Sequence, residues 1–144
     1  KKQVTIQRKD KISQLLNSAK ELKDELKQNS VDINKLNNEL KEKENLNEDK
    51  LFLYFQQCGK DIYTLEDIDI NDLEKLYDID HIYPQSLLKD DSISNRVLTK
   101  KSKNNFKQNK LLPTLAQEGF LAQNAYKFYE FLYKNEFISK KKYH

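Results

Sequence analysis

The stretch that decides the fold runs Tyr77-Asp78-Ile79-Asp80-His81-Ile82-Tyr83-Pro84-Gln85-Ser86, then Leu88-Lys89-Asp90-Asp91-Ser92-Ile93, then Asn95-Arg96-Val97-Leu98-Thr99. Two lysines later it reaches Ser102-Lys103-Asn104-Asn105. Residues 77–82 alternate apolar and polar side chains, the period-two pattern of a half-buried strand. Pro84 fixes its own φ and has no N–H to donate, so it forces a turn. Arg96-Val97-Leu98-Thr99 reads as a second short strand, and the segment between the two as a loop. Ser102 is an N-cap for a helix through Asn104 and Asn105 toward Asn109. The unit is therefore strand, loop, strand, helix.

On the N-terminal side, Ile12, Leu15, Leu16, Ala19, Leu22 and Leu26 recur at spacings of three and four, predicting one amphipathic helix over about residues 11–28. Asn29-Ser30 interrupts it, and Ile33, Leu36 and Leu40 carry a thinner helical stripe, supported by pairs such as Glu39/Lys43. Asp49 is the expected cap of a helix through the dense apolar run Leu51-Phe52-Leu53-Tyr54-Phe55, which Gly59 ends at the C′ position. Ile62-Tyr63-Thr64 reads as a short β-like piece. Asp69 or Asn71 opens a short helix with Ile70, Leu73 and Leu76. On the C-terminal side, Phe120, Leu121, Ala125, Phe128, Tyr129, Leu132 and Tyr133 fall at helical spacing and read as core, not as a base-stacking platform.

The fold class that follows is mainly α, with a small two-stranded antiparallel sheet flanked by helices. Residues 1–10 and 139–144 read as linker ends of a single domain at 11–142. Its parts are a helical arm at 11–46, a helical lead-in at 50–76, the strand–loop–strand–helix core at 77–109 and a C-terminal helical region at 117–138.

With 144 residues the chain is one ordinary domain. Charged residues make up 34% of it and mean hydropathy is −0.93, yet 15 aromatics, eight Tyr and seven Phe, are available for a core. No apolar run reaches the ~18 residues of a membrane span, so no membrane partner is expected. One cysteine, Cys58, excludes an internal disulfide framework and a Cys-rich zinc site. Two glycines argue against a glycine-loop phosphate site. The chain begins Lys1-Lys2-Gln3 and contains no Met, which reads as a piece of a longer protein. The net charge of +3 says little about partners; its distribution says more. Lys89, Arg96, Lys100, Lys101, Lys103, Lys107 and Lys110 face only Asp90 and Asp91 between residues 89 and 110, next to the only internal histidine, His81.

Hydrolysis of a phosphodiester needs a base for the attacking water and positive charge on the phosphorane and leaving oxygen. A histidine with a pKa near ~6.5 supplies a neutral base at pH 7, so His81 is the candidate. Mg²⁺ takes hard oxygen ligands and keeps several waters, so one carboxylate and one amide oxygen suffice; Asp80 and Asn104 offer them, with Mn²⁺ as a substitute. Lys101, Lys103 and Lys107 can hold flanking phosphates. Asp78 shares a strand face with Asp80 and is either an auxiliary to the metal shell or a solvated carboxylate. Neighbours on a regular strand point to opposite faces, so Asp80 and His81 converge on one phosphate only if the strand ends or bulges there, or if metal and base approach from different sides. Taken singly, each residue also has an ordinary reading: a solvated Asp-His pair, a turn asparagine at 95, an exposed helix asparagine at 104, a solvated lysine face. Their joint order inside one compact unit is what points to chemistry.

That order, His81, Asn95, Asn104, resembles the HNH nuclease family with its ββα-metal motif. The run 77–99, with Lys50-Leu51-Phe52-Leu53-Tyr54-Phe55-Gln56-Gln57-Cys58-Gly59-Lys60-Asp61-Ile62-Tyr63 before it, is similar to the HNH domain of type II CRISPR-associated RNA-guided DNA endonucleases. The resemblance covers about residues 50–105 and is looser over 11–46, which carries an apparent insertion, and over 117–142. It implies a metal-dependent DNA endonuclease, active in bacterial antiviral defence in the cytoplasm. Such a domain cuts the DNA strand paired with the guide RNA. Its partners are that heteroduplex and the remaining domains of the parent enzyme, and the isolated domain is expected to be a monomer. By the motif, His81 is the general base, Asp80 and Asn104 are Mg²⁺ ligands, and Asn95 supports the histidine. Where relatives often carry Asp-Lys-Asn this chain has Ser102-Lys103-Asn104; Ser102 is a poor metal ligand, which leaves the metal to Asn104 and a helix cap to Ser102. Two alternatives are another HNH endonuclease and a non-catalytic helical nucleic-acid-binding module.

Overall fold

A computed structural model describes residues 7–81, 96–101 and 125–138. Helix α1 spans Arg8–Ala19, α2 Lys23–Gln28, α3 Ile33–Lys41 and α4 Asp49–Gln56. A 3-10 turn at Ile70–Asp72 runs into the single-turn α5, Leu73–Leu76, and straight on into β1, Tyr77–His81. Strand β2 is Arg96–Lys100 and α6 is Ala125–Lys134. The two strands form an antiparallel ribbon, with Tyr77 opposite Lys100, Ile79 opposite Leu98 and His81 opposite Arg96. The fold is mainly α with one two-stranded sheet. Among the described residues no helix is long and apolar enough to cross a membrane.

The apolar stripes predict the packing. Ile12, Leu16 and Ala19 of α1 and Ile33, Leu36 and Leu40 of α3 are buried where α1 packs on α3 and α4. Phe52, Leu53, Tyr54 and Phe55 of α4 lie at the centre, each fully buried side chain of this size contributing ~1.5–3 kcal/mol. Helix α4 backs β2, whose Val97, Leu98 and Thr99 are buried. The buried face of α6, with Phe128, Tyr129, Phe131 and Leu132, joins the same core, as the C-terminal aromatics require. Phe120 and Leu121 lie outside the described residues.

Several expectations are corrected. The helix foreseen over 11–28 is two helices: i→i+3 bonds from Lys20 N–H to Asn17 O and from Leu22 N–H to Ala19 O close a turn between α1 and α2. A spacing of three and four reads the same in one helix as in two joined by a tight turn, and Leu26 is buried either way. Helix α1 also begins at Arg8, inside the stretch read as linker. Asp49 is the first helical residue of α4, not its cap, because its carboxylate is held by Arg8 and Arg96. Asp32 and Asp69 do cap, accepting bonds from Lys35 N–H and Asn71 N–H. Ile62-Tyr63-Thr64 forms a turn rather than a β piece, inside a loop closed by the bridge between Lys60 and Asp67.

Gly59 does end α4, but one position later than foreseen. Cys58 occupies C′ at φ 53°, and Gly59 follows at φ 75°. Cys58 N–H donates to Phe55 O at 3.0 Å and Gly59 N–H to Tyr54 O at 2.9 Å, the Schellman pattern. A Cβ on Gly59 would meet the Tyr54 hydroxyl at 3.2 Å, so both φ and space call for glycine. The same pattern ends α2 at Ser30 (φ 56°) and α6 at Glu136 (φ 64°), with no glycine at either. There the apolar pairs Leu26–Val31 and Leu132–Phe137, joined by 2.8 and 2.9 Å backbone bonds and buried, close the cap instead.

Candidate active site

The site is built on the ribbon, and the ribbon is built on three polar side chains embedded in or beside the most apolar stretch of the chain. Gln57, buried at the end of α4, meets the outer edge of β2 as another strand would. Its Oε1 accepts from Leu98 N–H at 2.7 Å, and its Nε2 donates to Leu98 O at 3.0 Å and Lys60 O at 2.9 Å. Asp61, also buried, accepts from the Thr99 hydroxyl at 2.7 Å, from Lys100 N–H at 3.2 Å and from Tyr63 N–H at 2.9 Å. Asp49 accepts from Arg96 and from Arg8, each at 2.9 Å, while the Arg8 guanidinium lies 4.5 Å from the Phe52 ring centre. An edge strand otherwise exposes unpaired backbone groups; here side chains satisfy them.

Strand β1 hangs on β2. Lys50 Nζ donates to Tyr77 O at 2.9 Å and pairs with Glu74, and the Tyr77 hydroxyl accepts from Asp69 N–H at 3.1 Å. Beyond buried Tyr77 the strand is half-buried at Asp78, Ile79, Asp80 and His81. The Tyr63 hydroxyl donates to Asp80 Oδ2 at 2.8 Å. Burial, and then the charge of Asp80 and this hydrogen bond, raise the Tyr63 pKa well above the ordinary tyrosine range. The hydroxyl therefore stays a donor at any physiological pH.

The pairing is one-to-one through His81 opposite Arg96, so β1 has no bulge before its end. Alternation then sets Asp78 and Asp80 on one face with Val97 and Thr99, beneath the loop carrying Asp61 and Tyr63. His81 lies on the other face with Ile79 and its cross-strand partner Arg96. Of the ways foreseen for base and metal ligand to reach one phosphate, the regular pairing excludes a bulge within Tyr77–His81; an end of the strand at His81 and approach from different sides both stand. Lys101 is exposed directly after β2. Asn95, Asn104, Lys103 and Lys107 lie outside the described residues. Gln57, Asp61 and Tyr63 escaped the sequence reading, although a signal existed: polar residues next to a dense apolar run must find partners, and the nearest unpaired backbone is a strand edge.

A phosphate-directed metal needs hard oxygen donors, and half-buried Asp80, its carboxylate oriented by a hydroxyl, is one. Among the described residues no group of three His, Cys, Asp or Glu side chains converges.

Residues 61–112 match the HNH endonuclease family, from Asp61, the anchor of β2, across both strands. The chain contains an HNH endonuclease domain. Its relatives place that domain more narrowly. The chain is 54% identical over 63 residues to the CRISPR-associated endonuclease Cas9 of Streptococcus mutans, covering 44% of this chain and 5% of that protein. It is 41% identical over 98 residues to Cas9 of Listeria innocua, covering 68% of this chain and 7% of the relative. To Cas9 of Staphylococcus aureus it is 40% identical over 65 residues, covering 43% and 6%. The chain thus spans 5–7% of the length of these curated relatives and carries an HNH domain of the type II CRISPR Cas9 kind.

Proposed function

We propose that this domain hydrolyses a phosphodiester in the DNA strand paired with a guide RNA, as one domain, spanning residues 11–142, of a larger RNA-guided endonuclease of the bacterial cytoplasm. The observation that carries the reading is the HNH match over 61–112 centred on a ribbon that ends in Asp80-His81. In the proposed mechanism His81, as a neutral imidazole, takes the proton of the attacking water. Asn95 orients the histidine and its loop. Asp80 and Asn104 would hold a Mg²⁺ ion, with Asp78 as an auxiliary; when bound, such an ion stabilises negative charge on the phosphorane and leaving oxygen. Lys101, Lys103 and Lys107 hold the neighbouring phosphates and so fix the register of the strand. Base pairing reads the sequence, and docking of this domain against the rest of the parent enzyme brings the scissile bond into place. The isolated domain is a monomer that lacks this docking, and with it most of the orientation on which the rate depends.

The test is His81→Ala in the full-length parent enzyme, assayed strand by strand on a labelled duplex. The guide-paired strand should be cut at least roughly 10²-fold more slowly, the contribution of a positioned base, while DNA binding persists. Undiminished cutting of that strand would overturn the assignment.

A further inference from the structure

The loop between α4 and the 3-10 turn is more than a connection. Asp61 N–H donates to Glu66 O at 2.9 Å, Leu65 N–H to Asp61 O at 2.8 Å and Ile68 N–H to Gly59 O at 2.8 Å. Lys60 Nζ meets Asp67 at 2.7 Å, and Glu66 N–H meets the Thr64 hydroxyl at 3.2 Å. A segment with this many internal bonds presents its side chains in one arrangement. At its centre Tyr63 is fully buried, 0% exposed, and its hydroxyl reaches across to Asp80. The carboxylate of Asp61 holds the Tyr63 backbone with one oxygen and β2 with the other. Tyrosine, loop and β2 are therefore one unit, and Asp80 on β1 is aimed by it.

We infer that Tyr63 is a positioning residue of the site: its hydroxyl holds one oxygen of the Asp80 carboxylate and so sets how the carboxylate is presented to a divalent cation. The inference rests on the proposed role of Asp80 as metal ligand. A ligand carboxylate that is hydrogen-bonded from behind loses less rotamer freedom when it binds, and such supporting partners typically change metal affinity 10–100-fold. Phenylalanine keeps the ring and the packing of Tyr63 while deleting only the donor. Tyr77→Phe is the matched control, because its hydroxyl accepts from Asp69 N–H and strand alternation sets Tyr77 on the face opposite Asp80.

The experiment titrates Mn²⁺ into the 144-residue chain, reading free Mn²⁺ by electron paramagnetic resonance, with thermal melting as a check of folding. Tyr63→Phe should weaken binding roughly tenfold; Tyr77→Phe should leave it unchanged, and Asp80→Ala should remove it. In the full-length parent, Tyr63→Phe should raise the metal concentration for half-maximal cleavage by a similar factor, and saturating metal should restore most of the rate. In the unmutated chain, added Mg²⁺ should shift the ring Cζ resonance of Tyr63 and not that of Tyr77. Loss of Mn²⁺ binding in Asp80→Ala with wild-type affinity in Tyr63→Phe, or a Tyr63 resonance indifferent to Mg²⁺, would overturn the inference and leave the metal reading standing. Wild-type affinity in Asp80→Ala, or no Mn²⁺ binding by the unmutated chain, would overturn both.

Discussion

Four of the five residues of β2 are tied to α4 and the loop that follows it: Arg96 by Asp49, Leu98 by Gln57, Thr99 and Lys100 by Asp61. Its three central side chains are buried. Strand β1 is buried only at Tyr77, and its remaining residues, two of them carboxylates and one the histidine, are half-buried. One strand is a beam and the other a shelf. Chemistry needs groups that water and substrate can reach, and it also needs them held still. The ribbon divides these demands between its strands, and Tyr63 is the strut that joins them on the Asp80 face.

The sharpest way to break this comparison is to remove an anchor of the beam. Asp61→Ala should cost about 3 kcal/mol, because it strands a buried hydroxyl and two N–H groups, each worth ~1–3 kcal/mol and not additive. Asp78→Ala, on the half-buried strand, should cost less than about 1 kcal/mol. Urea unfolding measures both; equal losses would mean that the two strands are held alike. Smaller is Asp49→Ala, which unpairs Arg8 and Arg96. These pairs are partly exposed, with side chains 36, 33 and 22% accessible, so the expected loss is about 1 kcal/mol and should shrink as salt is added. A loss that salt does not change would mean that packing, through Arg8 on Phe52, carries the effect.

The smallest effect is a pH dependence of the buried side. Burial pushes the Cys58 thiol up, and burial, then the hydrogen bond to Glu39, raises Tyr54; Tyr63 is raised as described. All three stay protonated in the fold, so the unfolded chain ionises first. The folded state then binds more protons, and stability falls as pH rises. Stability contributed by these groups should be complete below pH ~8 and decline above ~8.5, where an unfolded cysteine titrates, and more steeply above ~10, where tyrosines do. Near pH 9 the loss should be about 1 kcal/mol or less. Thermal melts between pH 7 and 10 test it; a midpoint that rises over this range would contradict the sign.

Much of this architecture was legible in the chain itself. The alternation of 77–82 and the Val97-Leu98-Thr99 run placed both strands, and the apolar stripes of α1, α3 and α6 placed the core, because burial imposes its period on the sequence. The caps were less legible. Ser30, Cys58 and Glu136 adopt the left-handed conformation without being glycine, since the closing apolar pairs or the following Gly59 do the work that a reader assigns to glycine at C′. Asp49 looked like a cap because a cap and an ion-pair acceptor share one chemistry, and only the approach of Arg8 and Arg96 from distant parts of the chain separates them. Tyr63 stayed hidden for the same reason: its partner Asp80 is 17 residues away, and no periodicity reports a contact made by folding.

The one-to-one pairing of Tyr77–His81 with Arg96–Lys100 has an evolutionary corollary. Side chains alternate between the two faces of the ribbon, so inserting or deleting one residue within either strand would carry every later side chain to the opposite face. Descendants can therefore exchange residue types along these strands more readily than they can change their length.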